Sequence, residues 1–179
     1  MLDRRVGCAS WVKWHTGVWG GVQSDNSRLV TKARDYVGPN CILAPTTVID
    51  LSNGNDVVAT PRWSNGSSPA FGAVTWGNGK KGTSGLISSS NSLVDTGDGG
   101  PVGKGGVTAL SNGNYVVNSS SRFAFAGSAN AGAATRVDGT TGTTGFGSPA
   151  NSLMGYTSSF TALRHSTYVM SVGVGECPR

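Results

Sequence analysis

Residues 105–117 read GGVTALSNGNYVV, and a near copy, VIDLSNGNDVV, stands at 48–58. A worn third version, FTALRHSTYVM, occupies 160–170. In each good copy an Asn-Gly pair is flanked by β-branched residues, the strongest short-range signal for a β-hairpin. The Asn112-Gly113 pair fits a two-residue type I′ turn with positive φ at both positions, pairing strands at 107–111 and 114–119.

Working outward, the rest of the unit repeats too. LSNGN begins at Leu51 and again at Leu110, a step of 59 (110 − 51). GAVTWGNGKKGTSG, from Gly72, returns as GAATRVDGTTGTTG from Gly132; SNSLV, with Asn91, returns as ANSLM, with Asn151. Both of those steps are 60 (132 − 72 and 151 − 91). Three landmarks in one order at one step define a tandem repeat. The third phrase arrives early, with about seven residues missing from the loop before it. The expected division is 1–47 as a degenerate leading repeat or cap, 48–106 and 107–159 as full repeats, and 160–179 as a truncated third.

Before residue 48 the copy fades. WVKW at 11–14 stands where AVTW stands at 73–76, and NSRLVTKARDYVG at 26–38 has the length of NSLVDTGDGGPVG at 91–103. The stretch 24–37 has no Gly or Pro, and Leu29, Ala33 and Val37 fall at helical spacing. A repeat remnant is favoured, with a short helix as the alternative.

Each full unit parses into four strands: the hairpin pair, a strand at 72–76, and a strand at 85–94. The apolar residues do not alternate cleanly, since Val57 and Val58 are adjacent, as are Val116 and Val117. A strand apolar on both sides is buried on both faces. The expected fold is therefore all-β: antiparallel four-stranded meanders of about 60 residues, stacked in a β-propeller-like array. A parallel β-helix is disfavoured because Asn-Gly hairpins imply antiparallel pairing.

Composition agrees. Charged residues are 13% and there are 28 Gly among 179 residues, a mix that disfavours long helices and suits short strands and tight turns. Disorder is the competing outcome for such a chain, but 37% hydrophobic residues in regular runs oppose it. The net charge of +5 is scattered rather than laid in a stripe with aromatics, so no nucleic-acid partner is expected. Cys8, Cys41 and Cys177 form no metal-binding spacing; three free thiols are favoured over one disulfide and a spare. No segment has the apolar length of a membrane span, and MLDRRVGCASWVKW lacks the apolar core of a signal peptide.

VTALSNGNYVV, GAVTWGNG and SNSLV together resemble the tandem repeat of unknown function in large secreted, haemagglutinin-like and adhesin-like bacterial proteins. The unit is also distantly similar to the FG-GAP blade of integrin-type propellers. The likeness is specific over 48–117, continues to about 170 and is thin before 48. It implies an extracellular or cell-surface repeat array and brings no catalytic residues with it. FG-GAP blades bind calcium through an acidic loop, and SNGN carries no carboxylate here. Asp50 and Asp56, and separately Asp95 and Asp98, are the calcium candidates, with exposed turn acids the preferred reading. No other cofactor is expected.

Catalytic chemistry finds few candidates. GNGKKG at 77–82 has the letters of a dinucleotide loop but is followed by TSGLISSS rather than a helix. No GxSxG elbow occurs, and the available bases are His15, between Trp14 and Trp19, and His165, where the previous copy has Asn112. Trp63, with Arg62 beside it in the polar loop PRWSNGSS, is the candidate for stacking on a sugar, whereas Trp76 reads as packing between blades.

Two functions follow. The preferred one is a repeat scaffold whose loops bind glycans or other cell-surface polymers; the alternative is a small hydrolase of an ester, lactone or glycoside in a cleft between repeats. Because propellers close with four or more blades, a homo-oligomer completing a ring is also conceivable.

Overall fold

The computed structural model describes residues 8–10, 27–29, 48–65, 71–95, 101–125 and 128–154. Every regular element there is a strand. In chain order these are β1 (Cys8–Ser10), β2 (Ser27–Leu29), β3 (Val48–Asp50), β4 (Asp56–Thr60), β5 (Ala73–Gly77) and β6 (Gly85–Leu86). There follow β7 (Leu93–Val94), β8 (Gly106–Ala109), β9 (Tyr115–Phe125), β10 (Ser128–Val137), β11 (Gly145–Phe146) and β12 (Ser152–Met154). None of the sheets among the described residues closes into a barrel.

The two full copies make two meanders. The first is β7-β5-β4-β3 and the second β12-β10-β9-β8, antiparallel throughout. Strand β11 of the second copy leaves its own sheet and pairs in parallel with β7 of the first, Gly145 opposite Leu93 and Phe146 opposite Val94. The same joint occurs one repeat earlier, where β6 pairs in parallel with β2, Arg28 opposite Gly85. Thus Ser27–Leu29, within the stretch whose spacing left a helix open, is strand; residues 30–37 lie outside the described residues.

The structure revises the turns. Gly113 N–H donates to the Leu110 carbonyl (3.1 Å) and Leu110 N–H to the Asn114 carbonyl (2.8 Å). Leu110 and Asn114 therefore close the ladder around three residues, Ser111, Asn112 and Gly113, not two. This is a type I turn followed by a left-handed glycine, Gly113 at φ 84°. Leu51, Gly54 and Asn55 repeat the pattern at 2.9 and 3.0 Å. The extra residue also sets the register, with Ala109 opposite Tyr115.

The expected strand over 85–94 is two short strands separated by a turn. Asn91 forms that turn: its Oδ1 accepts from Ser88 N–H (2.9 Å) and its Nδ2 donates to the Leu86 carbonyl (2.8 Å). Asn151 does the same between Ser148 and Phe146. An Asn side chain that imitates a backbone turn competes with the sheet ladder and interrupts it.

Burial on both faces is clearest in β4. Val57 and Ala59 belong to a cluster that spans the two meanders, with Leu51, Val74, Leu93 and Val102 from the first meeting Tyr115, Val117, Ala133 and Val137 from the second. Val58 faces the other way, into a cluster with Trp63, Phe71, Ala73, Ile87 and Val94. Each fully buried valine contributes about 1.5–3 kcal/mol, and among the described residues the larger of the two clusters is the one that joins the copies.

Candidate functional site

The polar loop that follows β4 carries Trp63. Its chain turns back at once: Trp63 N–H donates to the Thr60 carbonyl (3.0 Å), and the Trp63 carbonyl accepts from Phe71 N–H (2.9 Å) and Gly72 N–H (3.0 Å). These bonds bring the two ends of the loop together, and Trp63 is 6% exposed, clustered with Phe71 and Ile87. The polar loop thus places its tryptophan in the apolar cluster beneath the sheet, with little of the ring open to solvent. The apolar cluster beneath the sheet needed a large side chain, and the loop supplied it. Arg62, next to it, is exposed.

Asp50 and Asp56 stand opposite each other across the first hairpin, Asp50 exposed and Asp56 half-buried. Asp95 is buried at 3% exposure, and Asp98 lies outside the described residues. The structure thus brings one pair of carboxylates together. No group of three His, Cys, Asp or Glu side chains that could hold a metal ion exists among the described residues. His15, His165, Cys41 and Cys177 are also outside the described residues, and Cys8 lies on β1.

The densest polar geometry is at the seam between the repeats. Three donors converge on the Gly139 carbonyl: Asn53 Nδ2, Asn55 Nδ2 and Trp76 Nε1, each at 2.8 Å. All three come from the first copy, and the carbonyl is in the second. Asn53 Nδ2 also reaches the Gly113 carbonyl (3.3 Å), and Ser52 Oγ reaches the Ser111 carbonyl (3.1 Å), each joining one turn to its own counterpart. A second set of bonds ties each turn within its copy, Gly79 N–H to Asn55 Oδ1 and Gly139 N–H to Asn114 Oδ1, both 3.1 Å.

Glycines are required at this seam. A Cβ on Gly139 would fall on the Gly113 carbonyl oxygen, and one on Gly79 would fall on that of Gly54. Gly142, at φ 70°, lies against Trp76 of the preceding copy, with room for no Cβ. The seam is a structural lock: its donors face fixed backbone carbonyls, and it holds no activated nucleophile or base. Its signal in the sequence was the recurrence of Asn and Gly at fixed places in each copy, which reads first as turn chemistry.

In the adjoining turn, Asp138, Thr140 and Thr141 are exposed. Hydrogen bonds from the Thr140 hydroxyl (2.6 Å) and Thr140 N–H (2.7 Å) to Asp138 Oδ1 hold its carboxyl below the usual carboxylate range. Lys80 and Lys81 occupy the same turn in the first copy and are exposed. Two large apolar side chains are also exposed at equivalent joints, Leu86 at 50% and Phe146 at 53%. No described helix is long and apolar enough to cross a membrane.

Meanders in register, joined by the same parallel bridge and the same turn lock, define an all-β tandem-repeat protein. The family model described as a repeat of unknown function (DUF5650) matches residues 3–39, 50–104 and 109–161, most of the chain. The chain belongs to that family. No curated protein and no solved structure matches it.

Proposed function

We propose that this chain is a non-catalytic repeat scaffold of a secreted, adhesin-like bacterial protein, its meanders stacked as propeller-like blades. Its exposed loops and joints bind glycans or other surface polymers. One observation carries the reading: side chains at equivalent exposed positions recur along one edge, Leu86 then Phe146, while the most elaborate polar geometry serves only to hold the copies in register. A polymer with its own repeat is the ligand such a row suits, because each copy adds a weak contact at fixed spacing. The exposed Lys80-Lys81 turn and Arg62 favour acidic or hydroxyl-rich chains.

The test is a glycan and polysaccharide array probed with the full chain and with the Leu86→Ala/Phe146→Ala variant. Loss of signal in the variant, with unfolding curves unchanged, is the expected result. Wild-type signal no stronger than that of an unrelated protein, or equal signal from both forms, contradicts the binding role. Turnover of a chromogenic ester, lactone or glycoside that disappears in His15→Ala or His165→Ala would favour the hydrolase instead.

A further inference from the structure

The donors of the lock in the first copy have counterparts in the second. Asn53, Asn55 and Trp76, which converge on the Gly139 carbonyl, correspond to Asn112, Asn114 and Arg136 at steps of 59, 59 and 60 (112 − 53, 114 − 55 and 136 − 76). The two amides are held as their counterparts are. Asn112 Oδ1 accepts from Asn114 N–H at 3.1 Å, as Asn53 Oδ1 does from Asn55 N–H at 3.0 Å. Asn114 Oδ1 accepts from Gly139 N–H as Asn55 Oδ1 does from Gly79 N–H, both at 3.1 Å. With each oxygen fixed in the same way, each Nδ2 is turned toward the same relative point, the one that the Gly139 carbonyl fills in the first copy. Among the described residues neither Nδ2 nor the Arg136 guanidinium has a partner. Arg136 is exposed, and register puts it on one face with Val116, Ala134 and Leu153, the last 70% exposed.

One donor changes between the copies, and it changes in charge. Trp76 offers a single neutral N–H, which suits a backbone carbonyl. Arg136 offers a cationic fork of donors, which suits a carboxylate. We propose that Asn112, Asn114 and Arg136 form a binding site for the carboxylate of an acidic sugar. Two amide donors and a guanidinium aimed at one point satisfy both oxygens of such a group. Asp138, two residues beyond Arg136, has its Oδ1 engaged by the Thr140 hydroxyl and N–H at 2.6 and 2.7 Å, and it forms no ion pair with Arg136. The guanidinium is therefore left to a ligand. Beside the donors lie groups that match a sugar ring. Ser111, whose counterpart Ser52 donates across the seam, and Thr108, opposite Val116, are exposed hydroxyls. Leu153 and Val116 offer apolar surface to the face of a ring. A neutral sugar can use all of these but not the charge, so the change from Trp to Arg selects the carboxylate. The choice of a sugar as its carrier rests on the polymer-binding reading above; the donor geometry does not.

The test titrates D-glucuronate into the isotope-labelled full chain, with D-glucose and acetate as controls, and follows binding by NMR. Glucuronate should shift the side-chain amide signals of Asn112 and Asn114 and the Arg136 Nε–H, and should bind more weakly as salt is raised. Arg136→Gln, at an exposed position, should weaken binding about tenfold or more with the unfolding curve unchanged, as the loss of one charge-assisted pair implies. Asn112→Asp keeps the turn bond but sets a like charge against the ligand, and should abolish the shifts. Leu86→Ala/Phe146→Ala should titrate as wild type, so failure of the edge row and failure of this site are told apart. The proposal is overturned if glucuronate shifts none of these signals, if glucose binds as well, or if Arg136→Gln binds like wild type. Acetate binding as tightly as glucuronate overturns the sugar as carrier. A dimer in light scattering that Arg136→Gln converts to monomer, and that glucuronate does not dissociate, overturns it too, because a carbonyl of a second copy then fills the site.

Discussion

Asn53 sits at the tip of the first hairpin, and its two ends have separable duties. Oδ1 accepts from Asn55 N–H at 3.0 Å and shapes the turn; Nδ2 donates to the carbonyls of Gly113 and Gly139 at 3.3 and 2.8 Å and joins the copies. Asn53→Asp keeps the shape and the turn bond but removes both donors. A side-chain hydrogen bond is worth about 1 kcal/mol net, less for the longer of the two and for a turn partly open to water. Asn53→Ala should therefore cost about 1–2 kcal/mol. Asn53→Asp should cost more at pH 7, about 2–3 kcal/mol, because it sets a carboxylate oxygen against the Gly139 carbonyl. That arrangement favours the protonated acid, so the folded-state pKa of the new Asp lies above its unfolded value. A raised pKa gives stability that is present at low pH and lost as pH rises through the carboxylate range, so the deficit relative to wild type shrinks near pH 4. Urea unfolding of both variants and wild type at pH 7 and pH 4 reads this directly. An Asp variant as stable as wild type at pH 7, or a deficit that deepens on acidification, would refute the assignment of Nδ2 as an inter-repeat donor.

Trp63→Ala should lower stability by about 3–5 kcal/mol in a denaturant titration, as expected for a buried aromatic rather than an exposed binding residue. Gly139→Ala should cost at least about 2 kcal/mol by the same assay, since its Cβ meets the Gly113 backbone and has no flexible neighbour to displace. Val57→Ala, at a site with no exposed surface, should cost about 1.5–2.5 kcal/mol, whereas Val48→Ala, at 43% exposure, should stay within about 0.5 kcal/mol; equal effects would mean that β4 is not sandwiched between copies.

Much of this architecture was legible from local pattern. Adjacent Val57 and Val58 announced a strand buried on both faces, and the constant step of 59–60 residues announced stacked copies, because both are consequences of one unit covering another. The turn was misjudged by one residue because Asn-Gly suits both a two-residue type I′ turn and a three-residue loop with glycine last. What separates them is the pairing of Leu110 with Asn114, which the letters do not show. The burial of Trp63 was hard to see for a related reason. The loop around it is polar, but a sheet buried on both faces draws on any large apolar residue within reach. The lock at Gly139 was out of sight because its donors lie up to 86 residues earlier in the chain. Only the stacked register brings them together.

The central claim is that each copy packs on the next at that register, and the contact between Trp76 and Gly142 tests it most directly. These residues lie in different copies, yet an ideal Cβ on Gly142 would stand 2.6 Å from the Trp76 Cβ. In the NMR spectrum of the labelled full chain, nuclear Overhauser effects should link the Gly142 α-protons to the Trp76 side chain, with the indole Nε1–H protected from exchange by its bond to the Gly139 carbonyl. Gly142 α-protons that see only their own repeat, together with an indole N–H that exchanges at the rate of an unfolded tryptophan, would contradict the stacked array.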